Sequence, residues 1–141
     1  MASSVGAEVV PIGTRDGSEI ESGMAKLAGF PNAGLIATSG ASVIGNRDLI
    51  LQLAARYRLP AVYNSRTYVD HGGLISYGAD PVRNYRNAAS YVDRILKGEK
   101  PADLPVQAPD NYDLVVNLKT AKALGLELPA TVVGRADEVI E

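Results

Sequence analysis

The sequence contains no cysteine and no tryptophan, with one histidine and one phenylalanine. Without cysteine there is no disulfide framework, no thiolate metal site and no thiol nucleophile. A lone histidine excludes the paired-histidine zinc motifs. Charge of one sign is also missing: 14 basic residues stand against 16 acidic ones, a formal net charge of −2. That balance gives no electrostatic footprint for nucleic acid or for an anionic membrane. No apolar run approaches the roughly 20 residues that span a bilayer. Residues 1–4, Met-Ala-Ser-Ser, have neither a basic flank nor an apolar stretch, so they are not expected to form a signal peptide.

What is present is ordinary for a globular chain. The 141 residues are 46% hydrophobic and 21% charged, enough for one domain with its own core. Strand and helix signals alternate. Residues 8–12 read as a strand followed by turn residues. Ser18-Glu19-Ile20-Glu21 has the capping-box pattern, and the helix behind it carries Ile20, Met24 and Leu27 on one face before stopping near Gly29 and Pro31. Residues 34–39 are a nearly continuous apolar run, the pattern of a strand buried on both faces of a parallel sheet. A helix over residues 46–57 turns Leu49, Ile50, Leu53 and Ala54 inward.

Two further strands are expected at 61–63 and 74–77, with a turn or single helical turn at 68–73. Asp80-Pro81 pairs an N-cap acceptor with proline at N1 and opens a long helix. Its apolar stripe is Val82, Tyr85, Ala89, Val92 and Leu96, with Ile95 beside it and Gly98 as the C′ residue. Residues 101–109 are proline-rich and suit a connector. A strand at 112–116, an N-cap at Asn117, a short helix at 119–124 ended by Gly125, and a last helix at 129–140 complete the order. This alternation implies an α/β fold, a three-layer sandwich with a mostly parallel sheet of about four or five strands and helices on both faces.

Three strand ends are polar: Thr38-Ser39-Gly40, Asn64-Ser65-Arg66 and Tyr77-Gly78-Ala79-Asp80. In a parallel sheet they share one carboxyl edge, where open α/β sheets bind ligands. The candidate ligand-facing residues are therefore Thr38, Ser39, Asn64, Ser65, Arg66, Tyr77 and Asp80. Hydroxyls and amides would orient a solute, Arg66 could fork onto a carboxylate, and Asp80 could accept from an ammonium group. The bland alternative is that loops leaving strands are polar anyway and that Asp80 only caps its helix. Among the seven tyrosines, Tyr63 and Tyr77 fall at strand ends and suit a pocket, whereas Tyr85, Tyr91 and Tyr112 suit packing.

Catalytic and metal constellations are not expected. The Gly40–Arg47 segment resembles a phosphate loop in position, but Asn46 stands where the lysine is required. Asp70 and His71 are neighbours in sequence, and consecutive side chains rarely aim at one point, so His71 is expected as a solvated turn residue. No nucleophile is assembled with a base, and no cofactor is implied.

The stretch LPAVYNSRTYVDHGGLISYGADPVRNYRNAASYVDRILKG (residues 59–98), with the tail KPADLPVQAPDNYDLVVNLKTAKALGL (residues 100–126), resembles the ABC-transporter substrate-binding proteins of the type I periplasmic-binding fold, in the branch associated with aromatic amino-acid uptake. The resemblance runs over nearly the whole chain. It implies an exported, periplasmic or extracytoplasmic, two-lobed protein of which residues 1–141 are the second, C-terminal lobe, with helix 81–98 belonging to the missing first lobe. It also implies a solute receptor rather than an enzyme, taking an amino acid or related small carboxylate in the inter-lobe cleft and working with ABC permease subunits. A fragment of that kind is expected to dimerise through helix 81–98, whose stripe has lost its cover. The alternative is a free-standing flavodoxin-like regulatory or enzymatic domain. That class needs clustered acids or a phosphate loop at its strand ends, and Asp80 is the only acid there.

Overall fold

The computed structural model describes residues 6–109 and 111–141; residues 1–4, read above for an export signal, lie outside them. The element order is α1 (Gly17–Ala28), β1 (Leu35–Ala37), α2 (Ala41–Gly45), α3 (Arg47–Arg56), β2 (Ala61–Tyr63), α4 (Arg66–Asp70), β3 (Ile75–Ala79), α5 (Pro81–Leu96), β4 (Tyr112–Asn117), α6 (Leu118–Leu124), α7 (Ala130–Val133) and β5 (Glu138–Ile140). The five strands form one sheet in the order β1-β2-β3-β4-β5. Three of the four pairings are parallel, and β4 runs antiparallel to β3. The fold is thus the expected α/β type with a mostly parallel sheet.

Residues paired across a sheet share a face. Ala37, Tyr63 and Ser76 stand in register and are all buried on the helical side. There Ile20 and Met24 of α1 and Ile50, Leu53 and Ala54 of α3 close the core over Ala37, Ala61 and Tyr63. On the opposite face the partners Ile36 and Val62 are exposed, Ile36 at 77%, although Val116 of β4 is fully buried. The cover on that side reaches β4 and stops short of β1 and β2. The expectation that residues 34–39 are buried on both faces is therefore corrected: β1 is a three-residue edge strand with one open face.

Three other local readings change. Residues 8–12 form no strand and pair with none of the five strands, although β1 is an edge strand. The cap of α1 is Asp16, not Ser18: the Asp16 carboxylate accepts from the Glu19 amide at 2.9 Å. The Glu19 carboxylate in turn accepts from the Arg15 amide at 2.9 Å, a reciprocal cap shifted two residues upstream. Finally, residues 129–140 are not one helix. The short α7 ends at Gly134, and the chain extends into β5, where Val139 and Ile140 favour a strand.

The remaining punctuation follows the sequence. Asp80 caps α5 through the Val82 amide at 2.9 Å with Pro81 at its first position. Asn117 caps α6 through the Thr120 amide at 3.0 Å. Gly98 and Gly125 take positive φ just past α5 and α6. α5 itself has no buried residue.

Candidate functional site

β1, β2 and β3 are mutually parallel, so the segments leaving them lie along one carboxyl edge. Thr38 and Ser39 follow β1, Asn64, Ser65 and Arg66 follow β2, and Asp80 follows β3. The closest link is between the first two loops: Asn64 Nδ2 donates to Ser39 Oγ at 2.8 Å. The other end of that amide, Asn64 Oδ1, is shielded and has no hydrogen-bond partner. β3 presses on the same loop. A Cβ at Gly78 would collide with the Asn64 carbonyl oxygen, and its separation from the carbonyl carbon would be only 2.8 Å. Glycine is required there by close backbone approach.

Ser65 caps α4, its hydroxyl accepting from the Thr67 amide at 3.3 Å. Arg66 is engaged by protein. Its Nη1 and Nη2 donate to the two Glu138 oxygens at 2.6 and 2.9 Å, and its Nε donates to Asp70 at 3.3 Å. Those carboxylates push the already high pKa of the guanidinium further up, the Glu138 hydrogen bond contributing most. Asp80 spends one oxygen on its helix cap.

The tyrosines divide differently from the sequence reading. Tyr63 is a core residue, 2% exposed and stacked on Tyr68 at 4.7 Å. Burial pushes its hydroxyl pKa up to about 12. Tyr77 points to the open face of the sheet and stacks on Tyr112 at 5.4 Å, with both rings largely exposed. Tyr85 is 79% exposed and packs against little of the described chain. Tyr91 does anchor the connector, its hydroxyl donating to the Pro105 carbonyl at 2.7 Å. His71 sits in the turn after α4, its Nδ1 2.7 Å from the Thr67 carbonyl oxygen.

Sequence reasoning missed Glu138 and Tyr112 as partners of Arg66 and Tyr77. Gly134 followed by the β-branched pair Val139-Ile140 was the available signal for β5, but no local pattern joins residue 138 to residue 66. Among the described residues no group of three or more histidine, cysteine, aspartate or glutamate side chains is placed to hold a metal ion. An apolar concavity of about 360 Å³ between α3 and α6 lies at the opposite edge of the sheet beside Leu59, Leu74 and Thr120.

A tyrosine-binding protein of Clostridioides difficile (strain R20291) is 23% identical over 120 residues, 85% of this chain and 34% of that protein. A conserved domain protein of Vibrio cholerae O1 biovar El Tor superposes with a TM-score of 0.87 at 26% identity, over 98% of this chain and 46% of its own. An ABC domain in complex with L-Trp from Streptococcus pneumonia gives 0.86 at 24% identity, over 99% of this chain and 47% of that one. A ligand-free, open substrate-binding protein with adhesive properties from Clostridium difficile gives 0.68 at 24% identity, over 99% and 46%. The chain thus spans a third to a half of the length of these relatives. The family model for the ABC transporter substrate binding protein matches residues 1–140, and with that match over nearly every residue the chain belongs to this family.

Proposed function

We propose that the whole protein is the solute-binding component of an ABC importer and that this chain forms one wall of its cleft. The solute is an amino acid or related small carboxylate, and the protein binds it without chemical conversion. It acts outside the cytoplasmic membrane and hands its solute to permease subunits. The observation that carries the reading is the joined polar edge, where Ser39 and Asn64 from separate loops are hydrogen-bonded and Gly78 packs beneath them. Thr38, Ser65 and Asp80 extend the same edge. Convergence of this kind fixes ligand orientation.

In this reading α5 belongs to the other lobe and residues 1–141 are otherwise the second lobe. The lack of any buried residue in α5 supports this, as does an amphipathic stripe left facing solvent. The better superposition on the L-Trp complex than on the open, ligand-free structure, at equal identity, also fits a chain with parts in two moving bodies. Closure then follows because the solute contacts both walls and gains interactions that the open state lacks. Isothermal titration of the full-length protein against amino acids and organic acids tests the proposal. Saturable heat from an amino acid is expected, and silence across the panel would overturn it.

A further inference from the structure

We infer that this wall of the cleft reads the hydrogen-bond-donating, ammonium end of the solute and leaves the carboxylate to the opposite wall. The inference rests on the solute-receptor reading and specifies which end of the ligand this chain holds. Its first support is the orphaned Asn64 Oδ1. Buried polar groups are rarely left unpaired, so this acceptor marks a place for a donor, which reaches it when solute binding shifts the atoms that now leave the oxygen almost no accessible surface. The amide is oriented by its other end, since Nδ2 is already committed to Ser39 Oγ at 2.8 Å. The second support is Asp80, which offers an anionic acceptor at the same edge beyond the oxygen used for its cap. The third is the engagement of Arg66. A carboxylate arriving at this edge would have to displace Glu138 from a two-pronged pair at 2.6 and 2.9 Å, and Asp70 at 3.3 Å as well. An ammonium group breaks neither of those ion pairs and has the Asn64 and Asp80 oxygens to meet, with the Arg66 charge already neutralised by Glu138 and Asp70.

The test uses the full-length protein and two matched sets of probes. The first set is L-tyrosine, L-tryptophan and their decarboxylated amines, tyramine and tryptamine. The second is the deaminated acids 3-(4-hydroxyphenyl)propionate and indole-3-propionate. Each is titrated calorimetrically into the native protein, Asn64→Leu and Asn64→Asp, with a ligand-free melt of each variant to show that it is folded. Asn64→Leu is expected to weaken the amino acids and amines roughly ten- to a hundredfold, the scale of one hydrogen bond to a charged group, and to leave the acids unchanged. Asn64→Asp keeps an acceptor in place and is expected to retain or strengthen amine binding. If the deaminated acids bind more tightly than the amines, or Asn64→Leu weakens both sets equally, or Asn64→Asp loses the amines, the inference is overturned while the receptor reading stands. If neither these probes nor the wider panel of amino acids and organic acids binds, the receptor reading falls and takes the inference with it.

Discussion

Arg66, at the start of α4, and Glu138, at the start of β5, are 72 residues apart in sequence and form a two-pronged ion pair at 2.6 and 2.9 Å. The pair ties the loop that leaves β2 to the last strand of the sheet. Both side chains are about half exposed, so water screens much of the attraction. Glu138→Gln is therefore expected to cost at most about 1 kcal/mol in urea denaturation. The loss should shrink further at high salt, where exposed charges are screened. A loss of several kcal/mol, unchanged by salt, would show that the pair is buried in solution.

Gly78 is the most constrained position at the candidate edge. Gly78→Ala drives a methyl group into the Asn64 carbonyl, which is backbone and cannot rotate away. The β2 loop or β3 must shift, with an expected cost of about 1–3 kcal/mol by analogy with overpacking in a core. Because Asn64 is the residue displaced, solute affinity of the full-length protein should fall together with the melting temperature. An alanine variant that melts and binds like the native protein would contradict the close approach.

These two sites show what the sequence made legible. Asp80-Pro81 and Asn117 to Gly125 are local signals: caps, a proline and a left-handed glycine specify helix ends from a few adjacent residues, and the structure has them where expected. The polar ends of β1 and β2 were legible for the same reason, as were the parallel pairings that align them, whereas Tyr77, Gly78 and Ala79 lie within β3, paired with β4, and only Asp80 leaves it. Non-local partners were not. Nothing adjacent to Arg66 announces Glu138, and nothing in residues 112–116 announces that β4 runs against β3. Residues 8–12 have a strand's composition, yet they pair with none of the five strands. Tyr63 was read as a pocket residue because it ends a strand, but the parity of the pleat turns it toward α3 and into the core.

The start of α1 should respond to acid. The Glu19 amide and the Ser18 hydroxyl hold the Asp16 pKa below its ordinary 3.8, and hydrogen bonds from Arg15 hold Glu19 below its ordinary 4.5. A carboxylate with a lowered folded-state pKa stabilises above the ordinary value. That contribution is lost as the pH falls through the folded one. Helical circular dichroism followed from pH 6 to pH 2 should show this loss in the native chain. Asp16→Asn should flatten the acid limb, since its cap no longer titrates. An identical limb in both proteins would remove Asp16 from the account.

The 141-residue chain is expected to self-associate through α5. Val82, Tyr85, Val92, Ile95 and Leu96 stand exposed along this helix, Tyr85 at 79% and Leu96 at 82%. The alternative in which α5 folds back over its own sheet is not adopted. Full burial of each such side chain contributes roughly 1.5–3 kcal/mol. Four or five of them together are comparable to the cost of lost translational and rotational freedom, on the order of 4–15 kcal/mol. A second copy presents the same stripe, so two helices packed about a two-fold axis satisfy both at once. Light scattering over a dilution series should show a dimer in the micromolar range that Tyr85→Lys with Leu96→Lys converts to monomer. On the proposal that α5 belongs to the first lobe, that lobe covers the stripe in the full-length protein, and the same series should report a monomer throughout. A monomeric 141-residue chain at high micromolar concentration would defeat the dimer. A full-length protein that dimerises and loses that dimer on the same substitutions would instead defeat the assignment of α5 to the first lobe.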